Sequence, residues 1–192
     1  MLRILDNPLQ DIPMAAVLAS PIVGMDDEEL AQIRSAFKGV SFAQAALSAM
    51  AGEDGYEDEK LKAFALVFER LRGAVADTPI HELLYMMLDE TGFYRYASAM
   101  PAGKRRRQNI DMLIEMAAAY EKTSYKGLFH FVRYIDIQQK YEIDYGEADT
   151  AGENDDVVRI MTIHKSKGLE FPVVFVSGLG KSFNTQDTKS DL

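Results

Sequence analysis

Residues 164 to 171 read His-Lys-Ser-Lys-Gly-Leu-Glu-Phe, a crowd of polar groups between two apolar runs, "VVRIMTI" at 157–163 and "PVVFVSGL" at 172–179. The ammonium groups of Lys165 and Lys167 can hold phosphates as point charges. Gly168 lets the backbone come close to a ligand, and the Glu170 carboxylate can accept hydrogen bonds from sugar hydroxyls. If the flanking runs are strands, this turn sits at the carboxyl end of one, the edge where open α/β sheets bind ligands. The plainer alternative is a surface turn with solvated lysines and a glycine for the bend, and the residues alone leave both open. His164 by itself says less, since a histidine leaving a strand is more often structural than catalytic.

Two further stretches could meet phosphates. Gly180-Lys181-Ser182 has the ending of a phosphate loop, but that motif needs a glycine five positions before Gly180, where Phe175 stands in the middle of the second apolar run. It reads as an ordinary exit from a strand. "GKRRRQN" at 103–109 packs Lys104, Arg105, Arg106 and Arg107 at the start of a helix. Each cation could make a phosphate contact and the helix amino terminus adds donors, whereas a solvated basic turn is the alternative.

Composition narrows the partners. The chain has 192 residues, a net charge of −9 and no cysteine. An acidic protein does not coat nucleic acid through its overall field, so any contact of that kind must be local. The lack of cysteine excludes a disulfide framework and thiolate-held zinc, and His81, His130 and His164 are too scattered for a metal site. No apolar stretch approaches the roughly 18 residues of a membrane span, and no signal-peptide pattern opens the chain. These features predict a soluble cytoplasmic protein with no membrane partner.

The elements that must position these groups are mostly helical. Asp26 with Glu29, and Ser41 with Gln44, have the spacing of capping boxes. Leu61, Phe64, Phe68, Leu71 and Val75 advance in threes and fours along one helical face. Thr78 as cap, Pro79 at the first helical position and Gly92 past the end frame another helix, and two more are predicted over 108–121 and 125–141. In the last of these Phe129, Phe131 and Tyr134 read as core. Residues 144–156 hold six acidic residues and two glycines with no Lys or Arg, which predicts a solvated linker. The two runs beyond it suit buried strands. Two strands do not make a stable domain, so their neighbours must lie elsewhere. The chain also opens inside an apolar helix-like pattern without a cap, and we expect a piece of a larger protein.

"VRIMTIHKSKGLEFPVVFVSGL" resembles motif V of the superfamily 1 DNA helicases of the UvrD, Rep and RecB type, in which a T-x-H-x-x-K-G-L-E-F core leaves a strand of the second RecA-like domain. "LRILDNPLQDIPMAAVLASPIVGM" is similar to the helical segment that follows motif IV. "RRRQNIDMLIEMA", "SYKGLFHFVRYI" and "KSKGLEFPVVFV" followed by "GLGKSFN" resemble the branch formed by the AddA-type polypeptides of the bacterial AddAB (RexAB) helicase–nucleases. The resemblance spans essentially the whole chain and is most specific at motif V. It implies a mainly α fold: a helical segment of RecA-like domain 2A at 1–24, a helical 2B-type insert at 25–150, and at 151–192 a small α/β remnant of domain 2A carrying motif V.

By the same resemblance, Thr162 and His164 would contact the single-stranded DNA backbone or relay its presence, Gly168 would lie near nucleotide phosphates, and Glu170 would bond the ATP ribose, with Lys165 and Lys167 less firmly assigned. The implied function is ATP-dependent unwinding and processing of double-stranded DNA ends in recombinational repair. ATP and Mg²⁺ would be the cofactors, single- and double-stranded DNA the substrates, and an AddB/RexB-type polypeptide the partner. Walker A, the magnesium-holding Asp-Glu, the arginine of motif VI and the nuclease carboxylates are absent from these residues, so the chain alone is expected not to hydrolyse ATP. The rival from another class is a non-catalytic helical module that binds protein or DNA.

Overall fold

The computed structural model describes residues 1–123, 127–140, 158, 160–164, 166–178 and 180. Its helices are α1 (Leu2–Asp6), α2 (Asp11–Ala19), α3 (Asp27–Ala36), α4 (Phe42–Met50), α5 (Glu59–Ala74), α6 (Ile80–Thr91), α7 (Phe93–Ala99), α8 (Gly103–Tyr120) and α9 (Leu128–Lys140), with a 3₁₀ turn at Glu53–Gly55. Two compact units divide the chain, Met1–Gly152 and Glu153–Leu192. The linker expected at 144–156 lies outside the described residues, as do Lys165, Lys181 and Ser182.

Local chemistry sets most helix starts in the first unit. The Asp26 carboxylate accepts the Glu29 N–H at 2.9 Å while the Glu29 carboxylate accepts the Asp26 N–H at 2.8 Å. Ser41 and Gln44 exchange the same pair of bonds at 3.2 and 3.1 Å. Each box satisfies amide donors that a helix end would otherwise leave bare. Asp58 caps α5 through the Leu61 N–H at 2.8 Å, and the expected stripe on that helix is inside, with Leu61, Phe64, Phe68 and Leu71 buried and Val75 half-buried.

The start of α6 differs from the expectation. Thr78 makes no side-chain cap bond and Pro79 occupies the cap position itself. The Glu121 carboxylate, just past α8, instead accepts the N–H groups of Ile80 and His81 and meets His81 Nδ1 at 2.6 Å. The other end agrees: Gly92 takes φ +64°, the left-handed position after the helix that glycine tolerates best.

Helix α4 is the narrow member of the bundle. Ala43, Ala45, Ala46 and Ala49 are buried, and small side chains let α2, α3 and α5 approach it closely. Asp11 on α2 accepts the Ala43 N–H at 2.9 Å, fixing one helix against the first turn of the next. Farther along, α6 and α7 pack on α8, and α9 packs on α1. Phe131 is wholly buried and Tyr134 half-buried against the core, as expected of them. Phe129 is not core. Half of its surface is exposed (51%), because it lies on the opposite face of α9 from Phe131.

The fold is mainly α, as expected, and in the second unit none of the described residues is in a strand; the strands expected at 157–163 and 172–179 fall in part on residues outside the described ones. Ile160 is 97% and Phe175 94% exposed. A strand needs a neighbour to take its N–H and C=O groups and to cover its side chains, and the described residues of the two apolar runs pair with none.

Candidate nucleotide and nucleic-acid contacts

The 162–170 segment is a chain of overlapping turns. The Ser166 N–H donates to the Thr162 carbonyl at 3.1 Å, the Lys167 N–H to the His164 carbonyl at 3.4 Å, and the Leu169 N–H to the Ser166 carbonyl at 3.0 Å. Ser166 Oγ donates to the Ile163 carbonyl at 2.9 Å, so this serine is used in holding the turn. Gly168 sits at φ +85°, and nothing lies within 4 Å of where a Cβ would be. Glycine is required there by the backbone angle, and the space beside it is open to an approaching ligand.

Thr162, His164, Lys167, Gly168 and Glu170 are all exposed. The turn thus presents a hydroxyl, an imidazole, an ammonium and a carboxylate within nine residues, braced by its own backbone. Such a set can bind and orient an anionic or sugar-bearing ligand. It has no carboxylate cluster for a divalent cation: among the described residues no three His, Cys, Asp or Glu side chains come together as a metal site.

The basic run belongs to the other unit. Lys104, Arg105, Arg106 and Arg107 lie inside the first turns of α8, which begins at Gly103 instead of near Gln108. The chain makes that entry tightly, with Ala102 at φ +58° and the Gly103 backbone against Ser98 at the end of α7. All four cations are exposed, and Arg106 Nε donates to the Pro101 carbonyl at 3.1 Å. No acidic residue occupies the first turn of α8. Four cations at the positive end of a helix dipole repel it and each other, an arrangement that a bound anion would relieve. The neighbouring Tyr94 hydroxyl donates to Asp111 at 3.0 Å, and burial, with that bond second, holds its pKa above the ordinary tyrosine value.

Comparison with known proteins gives these features a context. Residues 1–183 match the UvrD-like helicase C-terminal domain. The chain is 48% identical over its whole length to a protein of Anoxybacillus flavithermus named as the A subunit of an ATP-dependent helicase/nuclease, of which it covers 16%. It is 49% identical to the protein of that name in Bacillus cytotoxicus and 48% to that in Bacillus mycoides, over 96% of the chain and 15% of each relative. The chain therefore spans about a sixth of the length of these relatives. The match takes in both the helical unit and the turn with its flanking apolar runs, and on that extent the chain belongs to the UvrD-like helicase C-terminal domain family.

Proposed function

We propose that the chain is a segment of a cytoplasmic ATP-dependent DNA helicase–nuclease polypeptide that processes double-stranded ends, in which the 162–170 turn couples ATP to movement on DNA. The observation that carries this reading is the turn itself, an exposed, backbone-braced loop in a chain of this family. Thr162 and His164, with Lys165, contact the single strand. Gly168 admits nucleotide phosphates, and Glu170 accepts a hydrogen bond from the ribose. Mg²⁺, which neutralises charge in phosphoryl transfer, does not fit the described residues, since none of them form a ligand cluster. Its ligands belong to other parts of a longer protein.

The segment 1–24 and the residues after 150 serve as parts of the RecA-like domain 2A in this reading, and 25–150 is the 2B-type insert. The insert guides duplex through Arg105, Arg106 and Arg107, and meets an AddB/RexB-type partner. A non-catalytic helical interaction module is the second reading. It draws support from the helical unit having a closed core of its own.

The test is made in the full-length protein. Glu170→Gln keeps the shape but removes a charge-assisted bond, which weakens nucleotide binding roughly ten- to more than a hundredfold, a loss on the order of 1.5–3 kcal/mol. His164→Ala leaves ATP affinity nearly intact and reduces the stimulation of hydrolysis by single-stranded DNA. Equilibrium binding of a fluorescent ATP analogue, paired with ATPase rates with and without DNA, reads both. Equal loss of ATP affinity in the two variants, with full DNA stimulation, would leave the turn as a structural link and favour the second reading.

A further inference from the structure

Away from the turn and the basic run, the helical unit has a groove of about 330 Å³ between the chain's first ten residues and α9. Its wall carries Phe129, the α9 aromatic that the core does not use, with the Arg133 guanidinium 5.6 Å from the ring centre. Arg3 and Asp136 face each other across it at 2.6 Å. We propose that this groove takes one unpaired base of a single-stranded nucleic acid, stacked against Phe129, with the adjoining phosphate on Arg133. The choice of DNA as the strand rests on the proposed function; the groove's chemistry asks only for a base.

Charge excludes a duplex backbone as the occupant. Arg3 is committed to Asp136, and Asp6 lines the same groove as Arg133, so the four charges cancel. A surface that tracks many phosphates must instead be strongly cationic. What remains is a flat aromatic face, one available guanidinium and two side-chain amides. Asn7 accepts the Leu9 N–H at 3.0 Å through Oδ1, which orients the amide and keeps its NH₂ for a ligand. Gln10 Nε2 donates to the Arg3 and Asn7 carbonyls at 3.4 Å each, which keeps its Oε1 as an acceptor. A donor pair and an acceptor beside an aromatic ring match the polar edge and π-face of a nucleobase. The arginine over the ring adds a cation to the stack without closing the groove, since half of Phe129 stays exposed.

The 192-residue chain tests the idea directly. A single-stranded oligonucleotide carrying 5-iodouracil is irradiated with the protein, and the linked peptide is mapped after trypsin. The expected adduct lies in the peptide of residues 127–133, where fragment sequencing places it on Phe129 and not on the exposed His130; Phe131 in the same peptide is wholly buried. By fluorescence anisotropy, Phe129→Ala weakens binding about five- to 150-fold, the effect of removing one stacked base. Arg133→Ala weakens it less, and Phe129→Tyr restores it. A duplex of the same length does not yield the adduct.

Three results overturn the proposal. One is an adduct confined to other peptides, and another is unchanged affinity in a Phe129→Ala variant with the parent's helical circular dichroism. The third is the absence of single-strand binding by the chain. A loss in His164→Ala with none in Phe129→Ala also removes the groove from DNA binding while leaving the turn's role intact. The reverse pattern removes the turn and leaves the groove. Nucleotide affinity of the full-length protein judges the turn separately.

Discussion

Glu29 does two jobs with one carboxylate. It closes the capping box at the start of α3, and it receives Lys60 Nζ at 2.6 and 2.7 Å, an ammonium that also donates to the Gly24 carbonyl at 2.9 Å. The bond from Lys60, and after it the bond from the Asp26 N–H, hold Glu29 below its ordinary pKa of 4.5. A carboxylate depressed in the folded state contributes stability that is fully present above its unfolded value and is lost as pH falls through the folded one. We therefore expect the urea midpoint to fall as the pH is taken below the ordinary value of 4.5, and to fall less steeply in Glu29→Gln. Identical slopes in the two proteins would show that this carboxylate carries none of the acid sensitivity. The spacing of three between Asp26 and Glu29 makes the cap legible in the sequence, because a capping box is closed within one turn. Lys60 is not legible as its partner. It reaches Glu29 from 31 residues away, across a bundle in which α3 and α5 both pack on α4.

At the scale of elements, the helices with local start signals are readable, and those whose starts are set by neighbours are not. Helix α8 is the clearest case. The basic run is expected at the start of a helix over 108–121, yet the helix begins at Gly103 and takes in all four cations. The reason lies in α7: a Cβ on Gly103 would stand 1.9 Å from the Ser98 carbonyl oxygen, an approach that only glycine permits. Gly103→Ala must push α7 and α8 apart, and overpacking of this kind costs about 1–3 kcal/mol. The loss is read from urea unfolding, and Gly73→Ala serves as the control, since no atom lies within 4 Å of its Cβ position. A Gly103→Ala variant as stable as the parent would mean that the turn opens without cost. Phe129 departs from its expected place in the core for a related reason. Aromatic residues at 129, 131 and 134 cannot all share one helical face: Phe131 turns onto Tyr120 at the end of α8, with 5.5 Å between ring centres, while Phe129 faces the groove beside the first residues of the chain.

The chain holds a closed helical unit and a second unit in which several described apolar side chains stay in water. Besides Ile160 and Phe175, Val158 is 94% exposed. The composition of these runs is legible, and so is the need for neighbours to complete them; the strands themselves depend on those neighbours. Exposed β-rich runs pair with whatever is available, including other copies. Sedimentation of the 192-residue chain should show a mass that rises with concentration, and Ile160→Asp combined with Phe175→Asp should abolish the rise. A parent that stays monomeric at every concentration would contradict this. The cap of α6 bears on a different moment in the molecule's life. Its acceptor, Glu121, follows the Ile80 N–H by 41 residues. A chain made from its amino end at about 5–20 residues per second receives Ile80 roughly 2 to 8 s before the ribosome adds that acceptor. The nascent protein thus passes through an interval in which α6 exists without its cap, and its amino end is secured only once translation has moved past α8.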